Sequence, residues 1–330
     1  MHKYRAATLV VAIAFVTMRP ESLPTIASAQ SSLLPSAAAP QPVPPDGLRI
    51  TLLGTGGGPL VNLRQFGAST LVEAGGKRLL FDCGRGATIR LVEAGIPIGA
   101  VGRLFLTHLH SDHVMQIPDL LLAGWVGSTG RRAPLEVWGP DGTRDMMSGL
   151  EKAFVFDIHM RRDVDEKIPA AGITVQSHDI SEGVVLDEDG VKVTAFLVDH
   201  RPVSPAFGYR VDYRGRSVAL SGDTRVSDNL VKFATGVDVL IHEAVDPVAQ
   251  RAASANPAMT ERIIDHHTTG EQAGQEFARV KPRLAVYSHA PDSEALIAQT
   301  RTHYSGPLQG PEDLLVIDVG DQINVRRVVH

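Results

Sequence analysis

A single cysteine, Cys83, in 330 residues excludes an internal disulfide, so this chain must be held together by packing, hydrogen bonding or metal. Aromatic residues are scarce at 5%, whereas Gly (31) and Pro (21) are plentiful. That balance argues against a long helical bundle or coiled coil and suits many strands joined by tight turns and functional loops. Positive charge is also in short supply. The formal net charge is −5, which makes the body a poor electrostatic partner for nucleic acid or an anionic membrane unless a local basic patch exists.

The length and the 43% hydrophobic content allow one large core or two modest ones. The N-terminus reads as an export signal: a basic start (His2, Lys3, Arg5), an apolar run over 6–18, and Ala27-Ser28-Ala29 as a small-residue cleavage site. The run falls short of the ~20 residues that span a bilayer, so no membrane span is expected after processing. Removing 1–29 takes away Lys3, Arg5, Arg19 and Glu21 and leaves a more acidic body, expected in the periplasm or outside the cell. Residues 30–47, rich in Ser, Ala and Pro, read as a flexible tether, and 48–330 as the folded domain.

Within that domain, 48–53 reads as a strand ending in the Gly54-Thr55-Gly56-Gly57-Gly58 turn, and 69–74 with 77–82 as a hairpin about Gly75-Gly76. The glycine spacing matches neither the dinucleotide nor the Walker pattern, which favours a plain turn over a phosphate loop. Further strands are expected at 103–106, 135–138, 191–198, 206–211, 217–220, 237–241 and 284–287. Helices are expected at 85–94, 115–123, 143–156, 228–234 and 269–280. Strands and helices recur in each half, which implies an α/β architecture of two sheets packed face to face with helices outside.

Thr107-His108-Leu109-His110-Ser111-Asp112-His113 is the segment that carries chemistry. Three imidazoles and a carboxylate within six positions form a dense set of nitrogen and oxygen ligands for a borderline metal ion. In an extended loop residues two apart point the same way, so His108 and His110 can share one ion while Asp112 and His113, past the bend, serve a second. His200, Asp223 and His289 follow apolar strands and supply the remaining candidates. Asp223 can bridge two ions through its two oxygens.

His108-x-His110-x-Asp112-His113 resembles the signature of the metallo-β-lactamase superfamily, whose fold is a four-layer αββα sandwich. Leu80-Phe81-Asp82-Cys83-Gly84, the segment 205–211, Gly222-Asp223-Thr224, Ile241-His242-Glu243-Ala244 and His267-Thr268-Thr269 resemble the branch containing ribonuclease Z and the zinc-type arylsulfatases. The resemblance implies one metal on His108, His110, His200 and Asp223, and a second on Asp112, His113, Asp223 and His289. It implies two zinc ions, with manganese as another divalent candidate, and an activated water that attacks phosphorus, sulfur or a carbonyl carbon. Asp112 is then either proton acceptor or pure ligand. His267 matches a histidine assisting the leaving group, and Asp82, His242 and Glu243 are expected to orient ligand imidazoles through hydrogen bonds.

Only 13 residues separate Tyr209 from Asp223, too few for the transfer-RNA-gripping arm that ribonuclease Z carries there. With the acidic body and the export signal, this favours a small anionic sulfate or phosphate ester as substrate, an arylsulfatase-like activity, with structured RNA disfavoured. Trp125, Trp138, Phe207 and Tyr209 are candidate surfaces for an aromatic leaving group, and 124–182 is the expected source of the pocket walls. A ribonuclease Z-like phosphodiesterase, a β-lactamase or lactonase, and a non-catalytic metal scaffold are the rival readings. A homodimer is an admissible assembly.

Overall fold

The apolar runs of this sequence become strands because both of their faces are covered, which lets hydrophobic residues occupy consecutive positions. A computed structural model of the chain describes Val43 and residues 46–328. The expected leader (1–29) and, apart from Val43, Asp46 and Gly47, the expected tether lie outside the described residues. Among the described residues no helix is long and apolar enough to cross a membrane.

The strands are β1 (Leu48–Gly54), β2 (Ser69–Ala74), β3 (Lys77–Phe81), β4 (Arg103–Phe105), β5 (Leu135–Gly139), β6 (Val175–Asp179), β7 (Gly183–Glu188) and β8 (Val191–His200). They continue with β9 (Val203–Tyr213), β10 (Arg216–Leu220), β11 (Val239–His242), β12 (Leu284–Tyr287), β13 (Leu308–Gln309), β14 (Leu315–Val319) and β15 (Ile323–Arg327). One sheet has the order β15-β14-β1-β2-β3-β4-β5-β6 and the other β13-β12-β11-β10-β9-β8-β7.

Alternation along each strand sorts side chains into three cores. Leu48, Ile50, Leu79, Phe81, Val218 and Ile241 fill the space between the sheets. Leu80 and Leu104 instead face outward, onto Leu91, Leu120 and Met147 of covering helices. Ala219, Leu240 and Ala285 face out of the second sheet toward Leu230, Phe277 and Leu296. Helix, sheet, sheet and helix therefore stack as the αββα sandwich expected from the sequence.

Several elements differ from expectation for local reasons. The helix expected at 115–123 is shortened to Ile117–Leu122, and a separate short helix, Ser111–Val114, precedes it. Pro118, which has no N–H to donate, is accommodated in the first turn of the second helix but not within a continuous one. The helix expected at 143–156 ends at Ala153, and Val155–His159 begins anew before a π-helical turn at Met160–Val164. β14 and β15, unassigned in the sequence, complete the first sheet, where buried Arg49 of β1 meets Asp318 of β14 at 2.6 Å.

β3 to β6 are mutually parallel, as are β10 to β13, and β8 runs with β10 because two antiparallel steps through β9 restore the direction. The residues after β3, β4, β10, β11 and β12, together with the end of β8, consequently converge at one rim of the sandwich. The backbone of Phe207 donates to Thr107 O at 2.9 Å there, joining the two sheets at that rim.

Candidate metal centre

Asp82, immediately after β3, has a left-handed backbone (φ 56) and a buried carboxylate. It accepts hydrogen bonds from Thr107 N (2.8 Å) and Thr107 Oγ1 (2.9 Å), and its Oδ2 lies 2.8 Å from His113 Nδ1. That contact turns His113 Nε2 into the rim. His200, the last residue of β8, is oriented similarly by the His266 carbonyl, 3.2 Å from its Nδ1.

Four imidazoles gather on one oxygen. Asp223 Oδ2 lies 3.4 Å from His113 Nε2, 3.4 Å from His289 Nε2, 3.8 Å from His108 Nε2 and 3.9 Å from His200 Nε2. His110 Nδ1 is 3.0 Å from His108 Nε2 and 3.4 Å from His200 Nε2, and Asp112 Oδ2 is 3.2 Å from His289 Nε2. Donor atoms arranged tetrahedrally about a zinc-sized ion stand about 3.3 Å apart. The spacing therefore suits coordination. His113 Nε2 and Asp223 Oδ1 are buried without a hydrogen-bond partner, which is costly unless an ion takes their lone pairs. The donors of His108, His110 and His200 form one compact trio and those of Asp112, His113 and His289 another, with Asp223 close to both. The chain thus presents His/Asp groups suited to divalent metal.

Burial works against a charged Asp223, but His289, His113 and His108 outweigh it and hold the carboxyl well below its usual range. Burial, reinforced by His113, pushes His108 down. Burial also opposes a charged His113, yet Asp223 and Asp82 raise it. A divalent ion would displace the proton held there, since metal ligands bind in their deprotonated forms.

His267 lies beside this cluster. Its Nδ1 is 3.1 Å from Glu243 Oε2, and its ring centroid is 5.6 Å from that of His289 and 5.2 Å from that of His200. Glu243 Oε1 accepts from Thr268 N (2.8 Å) and Thr224 N (3.2 Å), which fixes the carboxylate. Burial lowers the affinity of His267 for a proton, but Glu243 outweighs it and the imidazole is pushed up to about 9.

His242 is not where the sequence reading put it. As the last residue of β11 it continues the outward-facing alternation, and its Nε2 lies 3.0 Å from Glu276 Oε2, with no hydrogen bond to any of the seven candidate ligands. Glu276, fully buried, also accepts from Ser227 N at 2.9 Å. Sequence reasoning missed it. The signal was a carboxylate on the apolar stripe Ala273, Glu276, Phe277, Val280 of the helix Gly270–Val280. Glu276→Ala is expected to destabilise the fold by about 3–5 kcal/mol, because it strands a buried imidazole and a buried N–H. Burial disfavours the charged form of His242, but Glu276 raises its affinity for a proton overall. The pair's contribution is therefore full below the unfolded-state value and fades as pH rises through the higher folded-state one. Denaturant titrations of both proteins at several pH values should show the gap narrowing toward alkaline pH.

Asp313 was also missed, being distant in sequence from every motif. It accepts from Thr55 N (2.9 Å), Thr55 Oγ1 (2.8 Å), Phe66 N (2.8 Å) and Arg90 Nη2 (3.1 Å), pinning both ends of the glycine-rich loop. The pinned loop lays Gly58 N on Asp112 Oδ2 at 3.0 Å. A Cβ on Gly57 would stand 2.8 Å from the His289 ring, so only glycine fits.

A cleft of about 510 Å³ opens beside the cluster, walled by Pro59, Leu60, Val245, Gln250, Ile263 and Pro291 among others. Its walls come from the glycine-rich loop and the helices Pro247–Ala253 and Pro257–Asp265, not from 124–182. Trp125, Trp138, Phe207 and Tyr209 are buried and line none of it. Trp138 stacks on Phe105 at 4.7 Å between the sheets, and Tyr209 Oη donates to Leu106 O, steadying the approach to the ligand segment. Phe207 likewise packs between the sheets, whereas Trp125 lies on the outer side of the first sheet, under its covering helices.

Residues 77–290 match the family described as "Beta-lactamase superfamily domain". The chain is 35% identical over 285 residues to Ribonuclease Z of Mycobacterium sp. (strain KMS), covering 84% of this chain and 99% of that relative. Among solved structures it resembles the metallo-beta-lactamase fold protein YhfI from Bacillus subtilis, with a TM-score of 0.65, 19% identity, and 83% and 100% of the two chains covered. It also resembles human tRNase Z, short form, with a TM-score of 0.62, 23% identity, and 82% and 99% covered.

The mycobacterial relative overturns the expectation of an arylsulfatase-like enzyme for small esters that disfavours structured RNA. Its alignment runs nearly end to end and leaves no space for an inserted arm of tens of residues. A short link between Tyr209 and Asp223 therefore does not separate this chain from proteins named ribonuclease Z. Net charge does not separate them either, since a polyanion responds to the local field at a cleft.

Proposed function

From the premise that this chain belongs to the ribonuclease Z branch of the metallo-β-lactamase superfamily, we propose that it is a zinc-dependent phosphodiesterase that cuts RNA, with precursor transfer RNA as the substrate to test first. The observation that carries this reading is the convergence of His108, His113, His200 and His289 on one Asp223 oxygen, with the His267–Glu243 pair alongside.

His108, His110, His200 and Asp223 would hold one ion, and Asp112, His113, His289 and Asp223 the other. Two divalent ions, when bound, supply Lewis acidity toward a phosphoryl oxygen and make water a competent nucleophile near neutral pH. The protein's own groups do the rest. Asp82 and the His266 carbonyl fix the tautomers of His113 and His200, leaving their Nε2 atoms free as ligands. Gly58 N and His289 fix Asp112 on the rim. Glu243 keeps His267 protonated and aimed, so that it can hand its proton to the departing ribose oxygen.

Metal-loaded protein incubated with precursor transfer RNA should release products with one defined new end, and the fragments are to be mapped by gel and mass. Turnover of bis(p-nitrophenyl) phosphate with the RNA left intact would contradict the RNA assignment while leaving the metal centre standing.

A further inference from the structure

Resting on that reading, we infer that Arg85 and the small pocket beside the glycine-rich loop form a subsite for the nucleotide unit next to the scissile phosphate. The pocket is lined by Leu60, Asn62, Phe66, Arg85, Ser111 and Met115, together with the loop glycines and Asp112. Asp112 and Gly57 to Leu60 also line the 510 Å³ cleft, so the loop stands between two clefts that meet at one candidate ligand. A polynucleotide with one phosphate at the metal centre would run from one cleft into the other.

Arg85 is exposed, and its guanidinium makes no ion pair or hydrogen bond among the described residues. Its neighbour Arg90 is, by contrast, committed to Glu93 and Asp313. The backbone under Arg85 is rigid: its carbonyl accepts from Gly67 N at 3.0 Å, and a Cβ on Gly67 would stand 2.6 Å from its nitrogen. A fixed base carrying an unspent cation is built for a charged partner. Asp112, the only carboxylate lining the pocket, is assigned to metal, which leaves Arg85 as its uncompensated charge. Leu60 (87% exposed) and Met115 (47% exposed) supply an apolar surface beside it. Cation and apolar surface together match a phosphate joined to a sugar and base. In a body of net charge −5, such a local cation is what a polyanion can engage.

The test measures inhibition of bis(p-nitrophenyl) phosphate turnover by a short single-stranded RNA, in wild type and in Arg85→Ala, Arg85→Lys and Arg279→Ala. Arg279, on the outer helix, controls for loss of one charge. The inhibition constant should rise by at least about tenfold in Arg85→Ala, partly recover in Arg85→Lys and change less than about twofold in Arg279→Ala. The slope of log inhibition against log salt should fall by about one in Arg85→Ala, as expected for one lost phosphate contact. An unchanged inhibition constant, or equal changes in Arg85→Ala and Arg279→Ala, would overturn the subsite. Because inhibition is read whether or not the RNA is cut, failure of the RNA-cleavage reading would show separately, as an RNA that binds without being cleaved.

Discussion

Asp223→Ala should empty both metal sites and lower phosphodiester hydrolysis by about a thousandfold or more. The reason is geometric. One buried carboxylate stands within 3.9 Å of four imidazole nitrogens drawn from both trios, so its removal deprives each ion of a ligand and leaves the imidazoles without their counter-charge. His289→Ala should behave differently, weakening mainly the ion shared by Asp112 and His113, because His289 is absent from the trio of His108, His110 and His200. Metal content by elemental analysis, with activity on the same samples, reads both variants. Two tightly held ions in Asp223→Ala would refute the bridging role.

His267→Ala should keep its full metal content yet lose about a hundredfold to ten-thousandfold in turnover, the range typical of general acid assistance. Glu243 lies 3.1 Å from the imidazole and favours its protonated form, which is what an acid at the leaving group requires. The loss should shrink across a series of phosphodiesters with increasingly acidic leaving groups, since these depart without a proton. The donor atom of His267 also lies within reach of the His200 and Asp223 donors. Metal analysis is therefore the decisive companion. Loss of an ion, or an equal drop for every leaving group, would make His267 a ligand or a structural residue instead.

The candidate metal centre was legible in the sequence because its possible donors are concentrated. Four of them fall in one short segment, and the rest follow runs of β-branched and leucine residues that could only be buried strands. Parallel strand direction then carries all of them to one rim. The sandwich was legible for the same reason, although the hairpin of β14 and β15 was not, because β14 joins the sheet through β1, more than 250 residues away. What failed was inference from features that do not touch the site. The length of the hairpin after Tyr209 and the net charge say nothing about the walls of the cleft. Those walls come from a loop read only as a turn and from two short helices opened by Asp246-Pro247 and Asn256-Pro257, whose capping residues were present to be read. His242 and Glu243 are adjacent in sequence, but strand alternation sends them to different surroundings, His242 to Glu276 and Glu243 to His267.

Stripping the protein with a chelator and refilling it with zinc, while following precursor transfer RNA cleavage and bound metal together, shows whether one shared centre of two metal ions performs RNA cleavage. The stripped protein should not cleave the RNA, and activity should return in full at two ions per chain. Full activity at one ion per chain, or cleavage that survives complete metal removal, would contradict the role of that centre.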